Sequence, residues 1–252
     1  MKLVFLHGFT GTPGSLRWVR EALPPATQVL APALLGHAGG PSEASSFEAE
    51  VERLAALVDS QGFRGAHLLG YSLGSRVALG LLVRDPSQFT SATLVGVHPG
   101  LASDAAREQR ISADQGWRDL LERQGLTAFI RAWTTLPLWD TQRALHAEHL
   151  RGQEQDRLSH SALGLSRALH SLGLGKMPAY SDRLYTLKLP VQVVVGELDH
   201  KFREIAGRML PALPNATLHC APGAGHNVLL EHPEFLAQVL ENAAKACSTA
   251  GE

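Results

Sequence analysis

The sequence predicts an α/β fold, a mostly parallel, doubly wound sheet with a helical cap insertion. Three observations carry that reading. Short apolar, β-rich runs alternate with segments of helical period over residues 1–102. Residues 103–183 break the rhythm, being helical in pattern, rich in Arg, Gln and His, and holding Trp117, Trp133 and Trp139. The alternation then resumes over 184–252. Strands separated by helices pair in parallel, and a parallel sheet needs both faces covered. The core is therefore expected in 1–102 and 184–252, and a cap in 103–183.

The elements follow in order. "LVFLH" (3–7) is a strand, and Gly8, Gly11 and Gly14 mark the loop after it. Residues 15–23 read as a helix, "TQVLAP" (27–32) as a second strand, and 35–41 as a Gly/Pro-rich loop. Residues 46–60 place Phe47, Val51, Leu54 and Leu57 on one helical face. "AHLLGY" (66–71) is a third strand that runs straight into a helix ending at residue 83, and "ATLVGV" (92–97) is a fourth. After the insertion come "VQVVVG" (191–196), a helix from residue 202, "ATLHCA" (216–221) and a helix from residue 233. The terminal "CSTAGE" reads as frayed.

Composition narrows the function classes. The 252 residues are 44% hydrophobic and 19% charged, with a net charge of −1, which suits one large core-burying chain. That balance argues against nucleic acid or an anionic membrane as partner. The N-terminal apolar run is interrupted by His7 and Gly8 too early for a signal peptide, and no stretch reaches the roughly 18 apolar residues of a membrane span. Cys220 and Cys247 form neither a disulfide framework nor a metal-binding spacing, so both read as reduced thiols of a cytoplasmic protein.

The chemistry concentrates in three loops. "GYSLG" (70–74) sets Ser72 between glycines where a strand gives way to a helix. That is the context of a nucleophile elbow, although a serine there can also simply shape a tight turn. A lone hydroxyl is a weak nucleophile and base, so it needs an imidazole, and the imidazole needs an orienting carboxylate. Asp199, just past "VVVGEL", and His226, in "PGAGHNVLLEHP", follow in that order at successive strand ends, where open α/β sheets bind ligands. Read singly, Asp199 is a helix N-cap and His226 a loop histidine; together with Ser72 they form a triad. Two backbone N–H groups should face the developing negative charge, those of Leu73 and of Phe9 in "HGFTGTPGS". His7 reads as a structural strand-end residue. "HAEH" (146–149) lacks the HExxH spacing and a third ligand, so no metal is expected.

"FLHGF", "GYSLGSR", "GELDHKFR" and "GAGHNVLLEHP" resemble the α/β-hydrolase superfamily along almost the whole chain. More narrowly, "GYSLGSRVAL", "HPGL" with "AAREQRISAD", "FIRAW" and "AGHN" are similar to the 2-succinyl-6-hydroxy-2,4-cyclohexadiene-1-carboxylate (SHCHC) synthases of menaquinone biosynthesis. That resemblance implies a lyase that eliminates pyruvate from 2-succinyl-5-enolpyruvyl-6-hydroxy-3-cyclohexene-1-carboxylate (SEPHCHC), using the triad as a base without an acyl-enzyme and without a cofactor. It implies substrate contacts from Tyr71, Arg76, Arg110, Trp133, Arg151 and Lys201. Arginine's planar fork binds a carboxylate bidentately, and several arginines suit a small polycarboxylate partner better than a neutral ester. Three departures from the pattern stand out. The chain begins directly at "KLVFLHGF", so a sheet lacking leading antiparallel strands is expected. "LLGHAGGPS" replaces a shorter loop near His37, and Ser75 replaces a common glycine. Rival readings are a carboxylesterase or thioesterase, a C–C bond hydrolase, and a non-catalytic small-ligand receptor on the same fold.

Overall fold

The computed structural model describes residues 1–21, 23–42 and 46–249. Six strands and nine α-helices follow one another among these residues: β1 (Lys2–Leu6), α1 (Arg17–Arg20), β2 (Gln28–Leu30), α2 (Phe47–Ser60), β3 (Ala66–Tyr71), α3 (Leu73–Arg84), β4 (Phe89–Val95), α4 (Asp104–Trp133), α5 (Ala147–Leu158), α6 (Ala162–Leu172), β5 (Val191–Gly196), α7 (His200–Met209), β6 (Ala216–Ala221), α8 (Val228–Glu231) and α9 (Pro233–Thr249). The strands form one all-parallel sheet in the order β2-β1-β3-β4-β5-β6. Winding goes from β1 outward to β2 and then reverses to β3 on the other side. The crevice at such a switch point opens between the carboxyl ends of β1 and β3, and those ends carry the glycine loop and Ser72.

Apolar residues bury both faces of the sheet. One face packs Val4, Leu6 and Leu68 against Val51 and Leu54 of α2, Val77 and Leu81 of α3, and Ile205 of α7. The other packs Leu3, Phe5, Leu69 and Val194 against Val19, Val228, Leu236 and Leu240. Between β4 and β5, the helical segment forms its own small cluster of Leu121, Phe129, Ile130, Leu165 and Leu169, against which Phe9 of the core packs. Arg17 anchors α5 to the core through an ion pair with Asp156 at 2.9 Å and a hydrogen bond to the Gly152 carbonyl at 3.0 Å.

Several elements differ from the sequence expectation for local reasons. The first helix is a 3-10 turn, Pro13–Leu16, followed by the single turn of α1. β4 starts earlier, because Phe89 pairs with Ala66, and stops at Val95, because Gly96 takes a φ of 60°. α7 begins at His200, since the Asp199 carboxylate accepts the Phe202 N–H at 3.3 Å. α4 is broken at Gly125, whose φ of 80° and ψ of 179° are not helical. α9 continues to Thr249, beyond the expected start of fraying at Cys247. The Cys247 side chain lies outside the described residues, whereas Cys220 is an exposed free thiol. Among the described residues, no helix is long and apolar enough to cross a membrane.

Four buried histidines form part of the frame. His67 in β3 hydrogen-bonds Ser91 at 2.7 Å and Thr93 at 2.9 Å. His7 accepts the Leu34 N–H at 3.1 Å, His37 the Thr10 N–H at 3.3 Å, and His160 the Ala38 N–H at 2.9 Å. Their rings stack edge-on in sequence, with centroids 4.8 Å apart for His7–His37 and 5.2 Å for His37–His160. Burial pushes His7 and His67 down to about 4 and holds His37 and His160 below the ordinary imidazole value. The unfolded chain therefore takes up these protons first as pH falls. The stability they support is complete above about pH 6.5 and is lost progressively toward pH 4. Thermal unfolding at pH 7.5 and pH 5 should show a lower midpoint at pH 5, with about 1–2 kcal/mol lost for each of His7 and His67.

Candidate active site

The turn from β3 to α3 holds Ser72 at φ 52° and ψ −107°, one of only two non-glycine residues with positive φ among the described residues. Such a conformation persists only when its surroundings enforce it. The Ser72 N–H is tied to the Val95 carbonyl at 2.8 Å. A Cβ on Gly74 would collide with the Leu6 carbonyl, so only glycine lets α3 approach β1 this closely. Ser75 is buried beside it and donates its hydroxyl to the Val95 carbonyl at 2.8 Å, which gives the departure from glycine a structural use.

Three residues from three strand ends meet here. His226 Nε2 lies 2.9 Å from Ser72 Oγ, and its Nδ1 lies 2.7 Å from Asp199 Oδ2. The imidazole is 2% exposed and Asp199 7%. Gly96 leaves room for the ring, since a Cβ there would stand 2.8 Å from His226 Cε1. Asp199 serves both readings of its position: one carboxylate oxygen caps α7 and the other takes the histidine. The N–H groups of Phe9 and Leu73 have no hydrogen-bond partner among the described residues. They border the same cavity as Ser72 and His226.

That cavity, of about 350 Å³, lies between the sheet's carboxyl edge and α4 and α6. Tyr71, Arg76, Arg110, Trp133 and Lys201 all line it. Arg76 reaches from α3 to the α6 terminus, donating to the Leu172 carbonyl at 2.8 Å. Burial, reinforced by Arg110, lowers its guanidinium to about 9. Arg110 pairs with Asp114 at 2.9 Å, yet burial outweighs that arginine and raises the Asp114 carboxyl. Trp133 stacks at 5.6 Å on Phe129 and meets Phe9 edge-on at 5.4 Å.

Arg151 requires a correction. It is exposed and absent from the cavity lining. The arginine that α5 turns inward is Arg157, only 6% exposed, its guanidinium 5.1 Å from the Trp139 ring centroid. Arg157 lines a smaller cavity of about 40 Å³ that shares Phe9, Tyr71 and Trp139 with the larger one. No ion pair or hydrogen bond to a carboxylate reaches it among the described residues, and burial, only partly countered by Tyr71 and Glu154, lowers it to about 10. The Tyr71 hydroxyl, which also borders this space, is buried without a hydrogen-bond partner among the described residues, and burial pushes it well up.

The remaining singled-out residues have structural positions. His37 sits behind Phe9, rings 5.6 Å apart, rather than forming the cavity wall. His149 packs on Trp18 at 5.0 Å, and its ring lies 6.3 Å from that of His146. Sequence reasoning passed over Glu231. Its carboxylate accepts the N–H of Gly225 at 2.6 Å and of Asn227 at 3.1 Å, gripping the loop on both sides of His226. The spacing "HNVLLE" was its only signal.

Comparison with known proteins gives the same lineage. The sequence pattern of the alpha/beta hydrolase family matches residues 3–239. A putative SHCHC synthase of Bacillus subtilis (strain 168) is 31% identical over 245 residues, spanning 94% of this chain and 88% of the relative. The SHCHC synthase of Serratia proteamaculans (strain 568) is 30% identical over 244 residues, spanning 95% and 91%. Among solved structures, MenH from S. aureus superposes with a TM-score of 0.94 at 28% identity, covering 98% of this chain and 94% of that one. A thermophilic esterase from Thermogutta terrifontis shares the fold, with a TM-score of 0.84 at 24% identity, covering 98% and 90%. The chain belongs to the alpha/beta hydrolase family, in the branch of the SHCHC synthases.

Proposed function

We propose that the protein removes pyruvate from SEPHCHC to give SHCHC in menaquinone biosynthesis, with Ser72, His226 and Asp199 as its base. One observation carries the reading beyond family membership: a triad opening into a cavity with Arg76, Arg110 and Lys201 on its wall, and buried Arg157, without an ion pair among the described residues, in the adjoining smaller cavity. Burying a cation without a carboxylate is costly, and an anionic ligand offsets that cost. A cavity for neutral esters has no use for such an arrangement.

The step follows from the geometry. His226, oriented by Asp199, draws the proton from Ser72 Oγ, and the oxygen removes a ring proton from the substrate. The C–H electron pair forms the new ring double bond, and the C–O bond to the enolpyruvyl group breaks. The leaving enolate takes up a proton and ketonises to pyruvate. The free N–H groups of Phe9 and Leu73, with the cationic wall, stabilise charge that develops on substrate oxygens. The chemistry calls on no group beyond these side chains and amides. The partner is thus a small polycarboxylate, and the setting is the cytoplasm.

The same elbow and amide pair could serve acyl transfer, so the test compares both chemistries. Pyruvate release from SEPHCHC, followed by reduction to lactate with NADH, should exceed p-nitrophenyl acetate hydrolysis by a hundredfold or more in kcat/KM, on the order of the discrimination expected of a site built for charged groups. Faster ester hydrolysis would move the protein to the esterases, and inertness toward both would favour a receptor.

A further inference from the structure

At the tip of β4, His98 borders the cavity beside Arg76, Arg110 and Lys201, and the chemistry above does not use it. Its surroundings fix both the ring and its proton. The Pro99 carbonyl accepts the Tyr180 N–H at 2.7 Å, which pins the loop to the segment that follows α6. The Gly100 N–H donates to His98 Nδ1 at 3.0 Å. Nδ1 is therefore an acceptor, and the imidazole proton stands on Nε2. Nε2 has no partner among the described residues and is not among the buried polar atoms, so it faces open space.

We propose that His98 is a substrate-binding and specificity residue, a neutral Nε2–H donor that takes one carboxylate oxygen of the anionic substrate among the surrounding cations. The proposal rests on the polycarboxylate reading of the cavity and extends it to one atom. The charged groups that act on the ring are Arg76 of α3, Arg110 of α4, and Lys201 and Arg208 of α7, and Asp114 of α4 lines the same cavity. Burial first, then Arg76, Lys201 and Arg110, hold its basicity down to about 4, so it stays neutral at working pH. The division of labour has a physical reason. Arg76, Arg110 and Lys201 supply attraction over several ångströms, which tolerates displacement of a ligand. A single N–H on a locked ring demands an oxygen at one place, and so discriminates among anions of equal charge.

Two isosteric variants separate donation from loop-holding. In His98→Asn the amide oxygen replaces Nδ1 and keeps the Gly100 contact but loses the distal donor. In His98→Gln the amide nitrogen replaces Nε2 and keeps the donor but loses the Gly100 contact. His98→Asn should lower kcat/KM for SEPHCHC, mainly through KM, by about tenfold to a hundredfold, the loss of one hydrogen bond to a charged oxygen. His98→Gln should stay within about threefold of the wild type, since the donor survives. A purely structural histidine gives the opposite order. Wild-type behaviour of His98→Asn, or an equal fall in His98→Gln, overturns the proposal. Calorimetric binding of 1,2,3-propanetricarboxylate reads the same contact without turnover and should weaken in the same order. Failure of the wild type to release pyruvate would sink the lyase reading while this binding arm still decides His98; failure to bind the tricarboxylate together with failure to release pyruvate would sink the polycarboxylate reading and this proposal with it.

Discussion

Replacing Ser72 with alanine is expected to lower kcat for pyruvate release by roughly a hundredfold to ten-thousandfold, the usual worth of a positioned base. Substrate binding should change by no more than about threefold, because charge complementarity resides in other side chains. The contrast follows from the backbone. Residue 72 is held at positive φ by the Val95 hydrogen bond and the close packing of Gly74 on β1, and alanine meets the same steric demand there as serine. The elbow therefore survives, and only the oxygen 2.9 Å from His226 Nε2 is lost. If Ser72 merely shaped a turn, Ser72→Ala would keep full turnover. Single-turnover kinetics of pyruvate formation, paired with calorimetric binding of 1,2,3-propanetricarboxylate, separates the two roles.

The triad was legible in the sequence because each member is announced locally. Ser72, Asp199 and His226 stand at strand ends flanked by glycine or cap residues, and parallel sheets bring such ends to one edge. The alternation of strand and helix likewise exposed the sheet, but not the strand order, which depends on contacts distant in sequence. The helical segment between β4 and β5 was harder to read. Residues 147–158, "AEHLRGQEQDRL", carry too few apolar side chains to say which face turns inward. Arg151 and Arg157 lie about 120° apart around a helix of 3.6 residues per turn. What selects the inward face is the anchoring of Asp156 by Arg17 and the docking of Arg157 on Trp139, both set by distant segments. The break at Gly125 escaped notice for a similar reason, since an isolated glycine in a helical pattern is compatible with an unbroken helix. Glu231 carries no motif of its own, and only the folded loop reveals that its two oxygens hold the amides on either side of His226.

Arg157→Met should move stability and activity in opposite directions. The guanidinium is buried without an ion pair among the described residues, and burial, only partly countered by Tyr71 and Glu154, lowers it to about 10, a penalty of about 3 kcal/mol. The sign follows from proton linkage. Folded and unfolded chains are both cationic there below about pH 10, so the penalty is in full force at neutral pH and is relieved only above it. Methionine fills similar space without charge, and what it gives up is the desolvated cation–π contact with Trp139, about 2 kcal/mol. The net is a gain of about 1 kcal/mol, or a rise of about 2–4 °C in Tm for a chain of this size. The same substitution should lower kcat/KM for SEPHCHC about a hundredfold, because an anionic group reaching the adjoining smaller cavity loses the buried cation that lines it. Adding 1,2,3-propanetricarboxylate should then narrow the gap in Tm, since the wild type gains more from binding than the variant does. A lower Tm with undiminished turnover would make Arg157 a structural cation seated on Trp139. A higher Tm with failed turnover would mark it as a charge kept in the interior for its ligand, at the expense of the empty protein's stability.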